Sequence, residues 1–406
     1  MESIRKLYRI GVGPSSSHTM APRRAAMRFL AENPDAAGYR VTLFASLAAT
    51  GKGHLTDRAI CDAFSPRPVE IIWREEANLP FHPNGMRFES LDGSGNVLTT
   101  WEVYSVGGGA LSEINNSEVD DGIYPLNSMA GIMAHSDRTG DPMWAIVENI
   151  EGGEIWEFLD RIWTAMTDAL KRGLATEGAL PGGLGVARKA LSLHRKASMF
   201  TPPLQQNGLL AAYAYAVSEE NASGGVIVTA PTCGACGVLP AVLHFLAQTI
   251  ECTRQDILRA LATAGLIGNL VKTNGSISGA EVGCQGEVGT ACSMAAGAAA
   301  QLLGGTIRQI EYAAEMGLEH HLGLTCDPVA GLVQIPCIER NAHAATRALS
   351  CAHFALLSDG SHIIPFDEVV LVMKETGQAL PHLYRETSAG GLARAYRRRK
   401  DPPQSE

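Results

Sequence analysis

Charged residues are scarce in this sequence, and positive charge is scarcer than negative. Asp, Glu, Lys and Arg together make up 18% of the 406 residues, whereas about 25% is usual for a soluble protein. The net charge of −9 argues against non-specific binding to nucleic acid, which needs a basic surface. The shortage of charge also indicates much buried surface, in a thick core or at a subunit interface, and we expect a homodimer.

The sequence has little that could enter a membrane. Its longest charge-free runs are residues 221–250, which contain Pro231, Pro240 and several glycines, and residues 288–307, which are mostly Ala, Gly and Ser. Both are poor spanning segments and predict buried helices instead. The first twenty residues lack the apolar stretch of a secretory signal. We therefore expect a cytoplasmic protein with no membrane partner.

A disulfide framework is also missing. The nine cysteines are an odd number, and they are scattered over a long chain, which excludes the small disulfide-rich secreted folds. This usage fits a reducing compartment with a few functional thiols. Any one cysteine is by default a small buried apolar residue.

The sequence pattern differs between the two parts of the chain. A length of 406 residues favours two domains. Up to about residue 150, short β-type runs such as "YRVTLFASL", "PVEIIW" and "TTWEVYSVGGG" alternate with turns and some helix. Beyond it, apolar residues recur at three- and four-residue spacing, as in "EIWEFLDRIWTAMTDALKRGL". We predict an α+β N-terminal domain (1–150), a mainly α-helical C-terminal domain (151–400) and a disordered tail (401–406).

Three cysteines could hold a metal. Cys326 and Cys337 bracket the turn-rich stretch "CDPVAGLVQIPC", and Cys284 lies among glycines in "GAEVGCQGEVG", just before a predicted helix whose N-terminus would favour a thiolate. Three thiolates can ligate an iron–sulfur cluster and leave one iron open as a Lewis acid. Separations of 42 and 11 residues match no short ligand motif, so a three-cysteine zinc site and plain buried thiols remain alternatives.

A dense polar loop, "GVGPSSSHTMAP", precedes a predicted helix near the N-terminus. It offers hydroxyls, an imidazole and turn amides that suit a carboxylate or phosphate, although a polar N-cap needs only one of these hydroxyls. The candidate ligand-binding residues are Ser15, Ser16, Ser17, His18 and Thr19.

The loop "ASLAATGKGHLTD" carries the candidate catalytic residues Lys52 and His54 between flexible glycines. His54 is a plausible general base, but a loop histidine can equally be merely solvated.

A further motif is the C-x-x-C of Cys233 and Cys236. It could be a redox dithiol, but no thioredoxin-like pattern surrounds it, and a snug turn of small residues fits as well.

These blocks together resemble the iron–sulfur-dependent bacterial L-serine dehydratases, in their single-chain form. The similarity covers nearly the whole chain, in the family's order, and several blocks are long and distinctive. The matching stretches include "GVGPSSSHTMAP", "SLAATGKGH", "LPFHPNGM", "YSVGGG", "LPGGL", "EENASGGVIVTAPT", "SISGAEVGCQGEVGTACSMAAG", "LGLTCDPVAGLVQIPCIERNA" and "YRETSAGGLA".

The resemblance implies a [4Fe–4S] cluster held by Cys284, Cys326 and Cys337, a substrate-binding loop over residues 15–19, and His54 as the base. It implies loss of water and then ammonia from L-serine to give pyruvate. An open iron would help the hydroxyl leave, and pyridoxal phosphate would be unnecessary. The open alternatives are L-threonine or another 3-hydroxy amino acid as substrate, a zinc-dependent hydrolase or deaminase, and an amino-acid sensor without turnover.

The chain also departs from the family at three places. Relatives commonly have Asn where this chain has Cys233, and usually Ala where it has Gly275. Many carry a cysteine close to the C-terminus, whereas the stretch after "GGLA" here contains none. We therefore expect the fourth iron position to be closed by water, by another residue or by Cys233.

Overall fold

The computed structural model describes residues 1–77, 79–113, 122–202 and 204–400. The predicted disordered tail, 401–406, lies outside the described residues. The strands are β1 (Ile10–Val12), β2 (Gly38–Phe44), β3 (Val69–Arg74), β4 (Gly85–Leu91), β5 (Val97–Ser105), β6 (Leu111–Ser112) and β7 (Val226–Val228). The helices are α1 (Ala21–Glu32), α2 (Ala45–Thr50), α3 (Thr56–Phe64), α4 (Met129–Thr139), α5 (Met143–Glu151), α6 (Ile155–Ala175), α7 (Ala190–Ala197), α8 (Leu204–Ala222), α9 (Val238–Thr249), α10 (Arg254–Asn274), α11 (Gly279–Val282), α12 (Thr290–Leu302), α13 (Ile307–Glu319), α14 (Cys337–Leu357), α15 (Phe366–Ala379) and α16 (Gly391–Lys400).

The N-terminal part is a mixed sheet covered by helices. The strand order is β3-β2-β4-β5-β6, with β2 parallel to β3 and the other pairs antiparallel. Helix α1 packs against the sheet with Phe29, whose ring lies 5.6 Å from that of Phe88 on β4. Tyr39 and Phe64 stack in the same core. The core therefore combines alternate residues of the strands with one face of α1 and α3.

The C-terminal part is a helical assembly built around α12. Its residues from Thr290 to Ala300 are all buried, and α9, α10, α13 and α14 pack around it. Small residues permit this close packing: a Cβ on Gly297 would lie 2.3 Å from the Ile267 side chain. In the part of the chain that the structure describes, no helix combines the length and the apolarity needed to cross a bilayer.

The two parts meet through the N-terminal segment. Strand β1 pairs with β7, in the register Ile10 with Val228, and the Tyr8 hydroxyl donates to the Leu261 carbonyl of α10 over 2.8 Å. Side chains of α4 and α5 also lie in the helical core. The predicted class, α+β followed by mainly α-helix, is confirmed, while the division at residue 150 stays a prediction. Because β1 is anchored in the helical part, the polar loop that follows it lies at the junction.

Candidate active site

The loop over residues 15–19 is folded into a tight, buried turn. Ser15 caps a π-helical turn (Ser16–Met20) by accepting the His18 amide, and the Ser15 amide donates to the Thr19 hydroxyl. Asn221 of α8 donates to the Pro14 carbonyl over 2.8 Å. A residue of the helical part therefore fixes the loop of the N-terminal part.

His54 lies next to this loop in a defined tautomer. Its carbonyl accepts the Thr19 hydroxyl, and its Nδ1 lies 3.0 Å from the Thr50 hydroxyl oxygen. That hydroxyl donates to the Ser46 carbonyl, so it can only accept from Nδ1–H. The lone pair of the neutral ring is therefore on Nε2. Burial, and secondarily the nearby His18, lowers the pKa of His54 well below its usual value, which keeps the ring unprotonated at neutral pH.

His18 is wholly buried and also neutral. Its Nε2 lies 3.2 Å from the Ser46 carbonyl, which can only accept, so Nε2 carries the proton. Burial lowers the pKa of His18 to about 4. The free Nδ1 lies 3.5 Å from the carboxyl of Glu386, whose pKa burial raises well above its usual value. The raised pKa favours the neutral form of the carboxyl group that faces the lone pair of this imidazole.

The three predicted ligand cysteines come together at the edge of the helical part. The thiol sulfurs of Cys284 and Cys326 lie 3.7 and 3.9 Å from the same carboxylate oxygen of Glu287. Cys337 is the first residue of α14. Burial raises the pKa of Cys337, and the charge of Cys284 raises it further. Chain segments that are 42 and 11 residues apart in sequence therefore form one cluster, which we call the thiol cluster (Cys284, Cys326 and Cys337).

The local backbone explains this convergence. Cys284 immediately precedes a π-helical turn (Gln285–Gly289) that leads into α12, as the sequence predicts. A Cβ on Gly279 would lie 2.6 Å from the Glu287 carboxylate and 3.4 Å from the Cys326 sulfur, so a larger residue here would displace the Glu287 carboxylate from the thiols. Gly283, with φ of 75°, adopts the left-handed conformation that favours glycine.

The thiol cluster is chemically suited to a metal. Soft thiolate ligands select zinc, copper(I) or iron–sulfur clusters. The neighbouring Cys284 raises the pKa of Cys326, as does burial. The thiolate form is therefore disfavoured in the absence of positive charge, and several thiolates side by side need a compensating cation. Arg340 supplies part of that charge: burial lowers the pKa of its guanidinium, but the thiolates outweigh this effect and raise the pKa overall.

Glu386 connects the thiol cluster with the histidine pair (His18 and His54). Its amide donates to the Cys326 carbonyl over 2.7 Å, and its side chain faces His18. After burial, the charges of Glu287 and Cys284 also raise the pKa of Glu386. Its backbone has a φ of 57°, a conformation that is costly for a residue with a side chain and that clusters at functional sites. The polar loop, the histidine pair and the thiol cluster therefore form one site.

Lys52 and Cys233 differ in exposure to solvent: Lys52 lies at the surface and Cys233 is buried. Lys52 is exposed, and its ammonium lies 5.6 Å from the centre of the Trp73 ring. Cys233 is buried, with its sulfur 3.8 Å from the Met20 sulfur. Burial raises the pKa of Cys233 well above its usual value, with smaller effects of Cys236 and Glu287. The structure therefore brings His54 and the polar loop to the thiols, and leaves Lys52 at the surface.

Sequence reasoning missed three residues of this site: Glu287, Arg340 and Glu386. Their signal was present but unspecific, because Glu287 lies in "GCQGEVG" and Glu386 in "YRETSAGG", both of which are among the family-like blocks. Charged residues in glycine-rich turns are usually solvated, so nothing local distinguished them.

Comparison with known proteins is consistent with this geometry. Residues 3–68 match the family described as serine dehydratase beta chain, and residues 86–393 match serine dehydratase alpha chain. The chain is 42% identical to an L-serine dehydratase of Streptomyces coelicolor, over 96% of this chain and 98% of the relative. It is 39% identical to L-serine dehydratase 1 of Escherichia coli (97% and 99%) and 41% identical to an L-serine dehydratase of Mycobacterium tuberculosis (96% and 97%). This chain belongs to the serine dehydratase family.

Proposed function

We propose that this protein converts L-serine to pyruvate and ammonia. The observation that carries the proposal is the junction at Glu386, where two neutral buried imidazoles meet three buried thiols. Elimination of water from serine needs a base for the α-proton and help for a poor leaving group, and the two halves of this site suit these two tasks. Relatives of about 40% identity over the whole chain, which bear the name L-serine dehydratase, support the substrate.

The cofactor that we propose is a [4Fe–4S] cluster held by Cys284, Cys326 and Cys337. Cys284 and Cys326 lie together beside Glu287 and Gly279, Cys337 is close enough to interact with Cys284, and three such thiols fit this group; the guanidinium of Arg340 partly offsets its negative charge. When bound, the cluster supplies a Lewis acid that assists departure of the hydroxyl group. Glu287, which touches two of the ligand thiols, orients them.

We assign the role of general base to His54. Thr50 holds the ring with Nε2 unprotonated, and the neutral ring can take the α-proton of serine at this atom. The lowered pKa makes the imidazole a weaker base, but it guarantees the form that accepts a proton. His18, which is also neutral and buried, lies directly beside this ring. Lys52, which lies over Trp73, has no step in this scheme.

The polar loop, residues 15–19, is proposed to bind the substrate carboxylate through its hydroxyls and amides. Holding the carboxylate stabilises the charge that develops as the α-proton leaves. Loss of the hydroxyl then gives aminoacrylate and water, and the aminoacrylate tautomerises to an imine. Hydrolysis of the imine consumes one water and releases pyruvate and ammonia, so the reaction needs no external oxidant or reductant.

We also propose a cytoplasmic homodimer. All nine cysteines are free thiols, which agrees with a reducing compartment. Three exposed apolar side chains, those of Met199, Phe200 and Leu204, lie close together in sequence. The chain also has a low fraction of charged residues. Both features are expected where a contact between subunits covers apolar surface.

The decisive experiment uses protein purified without oxygen. We expect roughly four irons and four sulfides per chain, and pyruvate release that depends on L-serine in the same sample. A cluster without pyruvate from serine, but with 2-oxobutanoate from L-threonine, would change the substrate and keep the reaction. Zinc without iron or sulfide after anaerobic reconstitution would overturn the proposal and favour a zinc-dependent hydrolase.

A further inference from the structure

Away from the candidate active site, a cavity of about 590 Å³ opens between α13, α14 and the segment that precedes α15. None of the residues that form the candidate active site lines it. Its walls come from the C-terminal half of α13, the C-terminal half of α14, and residues 361–364. The volume is in the range of small-molecule pockets.

One side chain in this cavity is buried without a partner. Glu315 is 4% exposed and lines the cavity. Among the residues that the structure describes, none forms a hydrogen bond or an ion pair with its carboxyl group. Burial, followed by repulsion from Glu319 and Glu311, raises the pKa of Glu315 to about 8. A carboxyl group that is largely shielded from water, with no compensating bond within the protein, costs stability, which a cation bound in the cavity would relieve.

The other walls are aromatic and aliphatic. The ring of Tyr312 stacks on His362 at 4.3 Å, and the ring of Phe354 meets Tyr312 edge-on at 6.1 Å. At the rim, Ile363 is 92% exposed and Ile364 is 54% exposed. Aromatic faces attract organic cations, and the isoleucines offer apolar contact to the rest of such a ligand. This combination disfavours a bare metal ion, which would leave most of the volume and the apolar wall unused.

We infer that this cavity binds an organic ammonium compound with an apolar body, with the ammonium group on Glu315. The same ammonium chemistry belongs to a simple amine and to an α-amino acid, whose carboxylate would face Arg347, an exposed residue of the cavity lining. The inference shares no residue with the proposed function, so binding can be measured whether or not the protein turns over serine.

The experiment is calorimetric titration of the intact, anaerobically purified protein with 3-methylbutylamine, with 3-methylbutanol as the neutral control and L-leucine as the amino-acid arm. We expect saturable binding of the amine and none of the alcohol. Glu315→Gln should weaken amine binding at least about tenfold. Glu375→Gln removes an exposed carboxylate of α15 and should leave binding unchanged.

Proton release provides a second readout that a purely structural role of Glu315 would not produce. At pH 7 the carboxyl group holds a proton, which an incoming ammonium displaces, so binding should release about one proton. Titrations in buffers of different ionisation enthalpy measure this number. The other titratable or charged groups that line the cavity or act on Glu315 are Glu311, Tyr312 and Glu319 of α13, His320 just beyond it, Arg347 and Cys351 of α14, and His362.

The outcomes separate cleanly. Tighter binding of L-leucine than of the amine, lost in Arg347→Met, assigns an amino acid, while amine binding alone assigns a simple amine. Either result supports ammonium recognition. Absence of saturable amine binding up to about 10 mM, equal binding of the alcohol, or unchanged binding to a folded Glu315→Gln variant overturns the inference.

Discussion

The imidazole rings of His18 and His54 lie 4.5 Å apart, tilted by 45° and fully buried. Two protonated rings at this distance would repel each other strongly in a site that excludes water. Burial lowers the pKa of both, so the pair is neutral under ordinary conditions. The hydrogen bonds of Thr50 and Ser46 then decide which nitrogen of each ring carries the proton.

Removing the proposed base should separate chemistry from cofactor loading. We expect His54→Ala to retain the iron and sulfide of the wild type and to lose about 10²–10⁴-fold in kcat, the usual contribution of a positioned base. Iron analysis and serine-dependent pyruvate release on the same sample test this. Near-normal turnover in this variant would show that another group takes the α-proton.

Thr50→Val tests the tautomer. The substitution keeps His54 but removes the acceptor for Nδ1–H, so the ring can adopt the unproductive tautomer, and we expect about a tenfold loss of kcat with little change in KM. Thr249→Val is the matched control: Thr249 also donates to a carbonyl four residues earlier, but it is an exposed residue at the C-terminal end of α9. Equal losses in the two variants would indicate a general helix effect and remove the role assigned to Thr50.

Ligand removal should abolish metal binding selectively. Cys326→Ala is expected to lose the iron and the activity together, because two thiols cannot hold a cluster that three secure. Cys61→Ala removes an exposed thiol of α3 and should leave both unchanged. Iron and sulfide determinations after anaerobic reconstitution give the answer, and a Cys326 variant with full iron content would disprove the ligand assignment.

Gly279→Ala tests the narrow passage beside the thiol cluster. The added Cβ would lie 2.6 Å from the Glu287 carboxylate, which must move away from the thiols that it touches. Loss of such an orienting contact typically costs about 10–100-fold in metal affinity, so iron content should fall on dilution or chelation. The control is Gly153→Ala, where the new Cβ meets no atom within 4 Å. Equal iron retention in both variants would contradict the prediction.

The carboxyl group of Glu315 should make stability depend on pH. Its pKa is 4.5 in the unfolded reference and about 8 in the folded protein, so between these values the folded chain holds a proton that the unfolded chain has lost. Stability therefore falls as pH rises from 4.5 to 8. We expect Glu315→Gln to be more stable than the wild type at pH 8, by on the order of 1–2 kcal/mol after allowance for solvent screening.

Thermal unfolding at pH 5 and pH 8 measures this difference. At pH 5 the difference should be much smaller, because the side chain at position 315 is neutral in both folded proteins and the unfolded carboxyl group is still near its pKa of 4.5. The same comparison with Glu375→Gln should show no divergence. A wild-type protein that is as stable as Glu315→Gln at both pH values would mean that the carboxyl group has an ordinary pKa.

Much of the secondary structure was readable from local pattern. The apolar spacing of "EIWEFLDRIWTAMTDALKRGL" predicts a helix, which is found as α6 (Ile155–Ala175), and the helix predicted after Cys284 is found as α12. The strand "PVEIIW" is β3. The run "YRVTLFASL" predicts a strand, which is correct only for its first part. The strand β2 ends at Phe44, and the last residues of the run begin α2. These features depend on neighbours within a few residues.

The site could be assembled from the sequence only by family resemblance. The resemblance brought His54, the polar loop and the three cysteines into one hypothesis, whereas spacing alone left the cysteines ambiguous. Neither source indicated that Lys52 would lie over Trp73 at the surface, or that Glu386 would reach His18. A contact across more than 360 residues leaves no periodic trace in the chain.

The sequence by itself determined the order of elements, the helical character beyond residue 150 and the chemical inventory of thiols, imidazoles and glycines, because these follow from composition and short-range pattern. The tertiary structure decided which of these groups meet. The pairing of β1 with β7, the bond between Asn221 and the polar loop, and the turn at Glu386 each join segments distant in sequence. They also remove the groups from water, and that burial is what makes the histidines neutral and raises the pKa of Glu386.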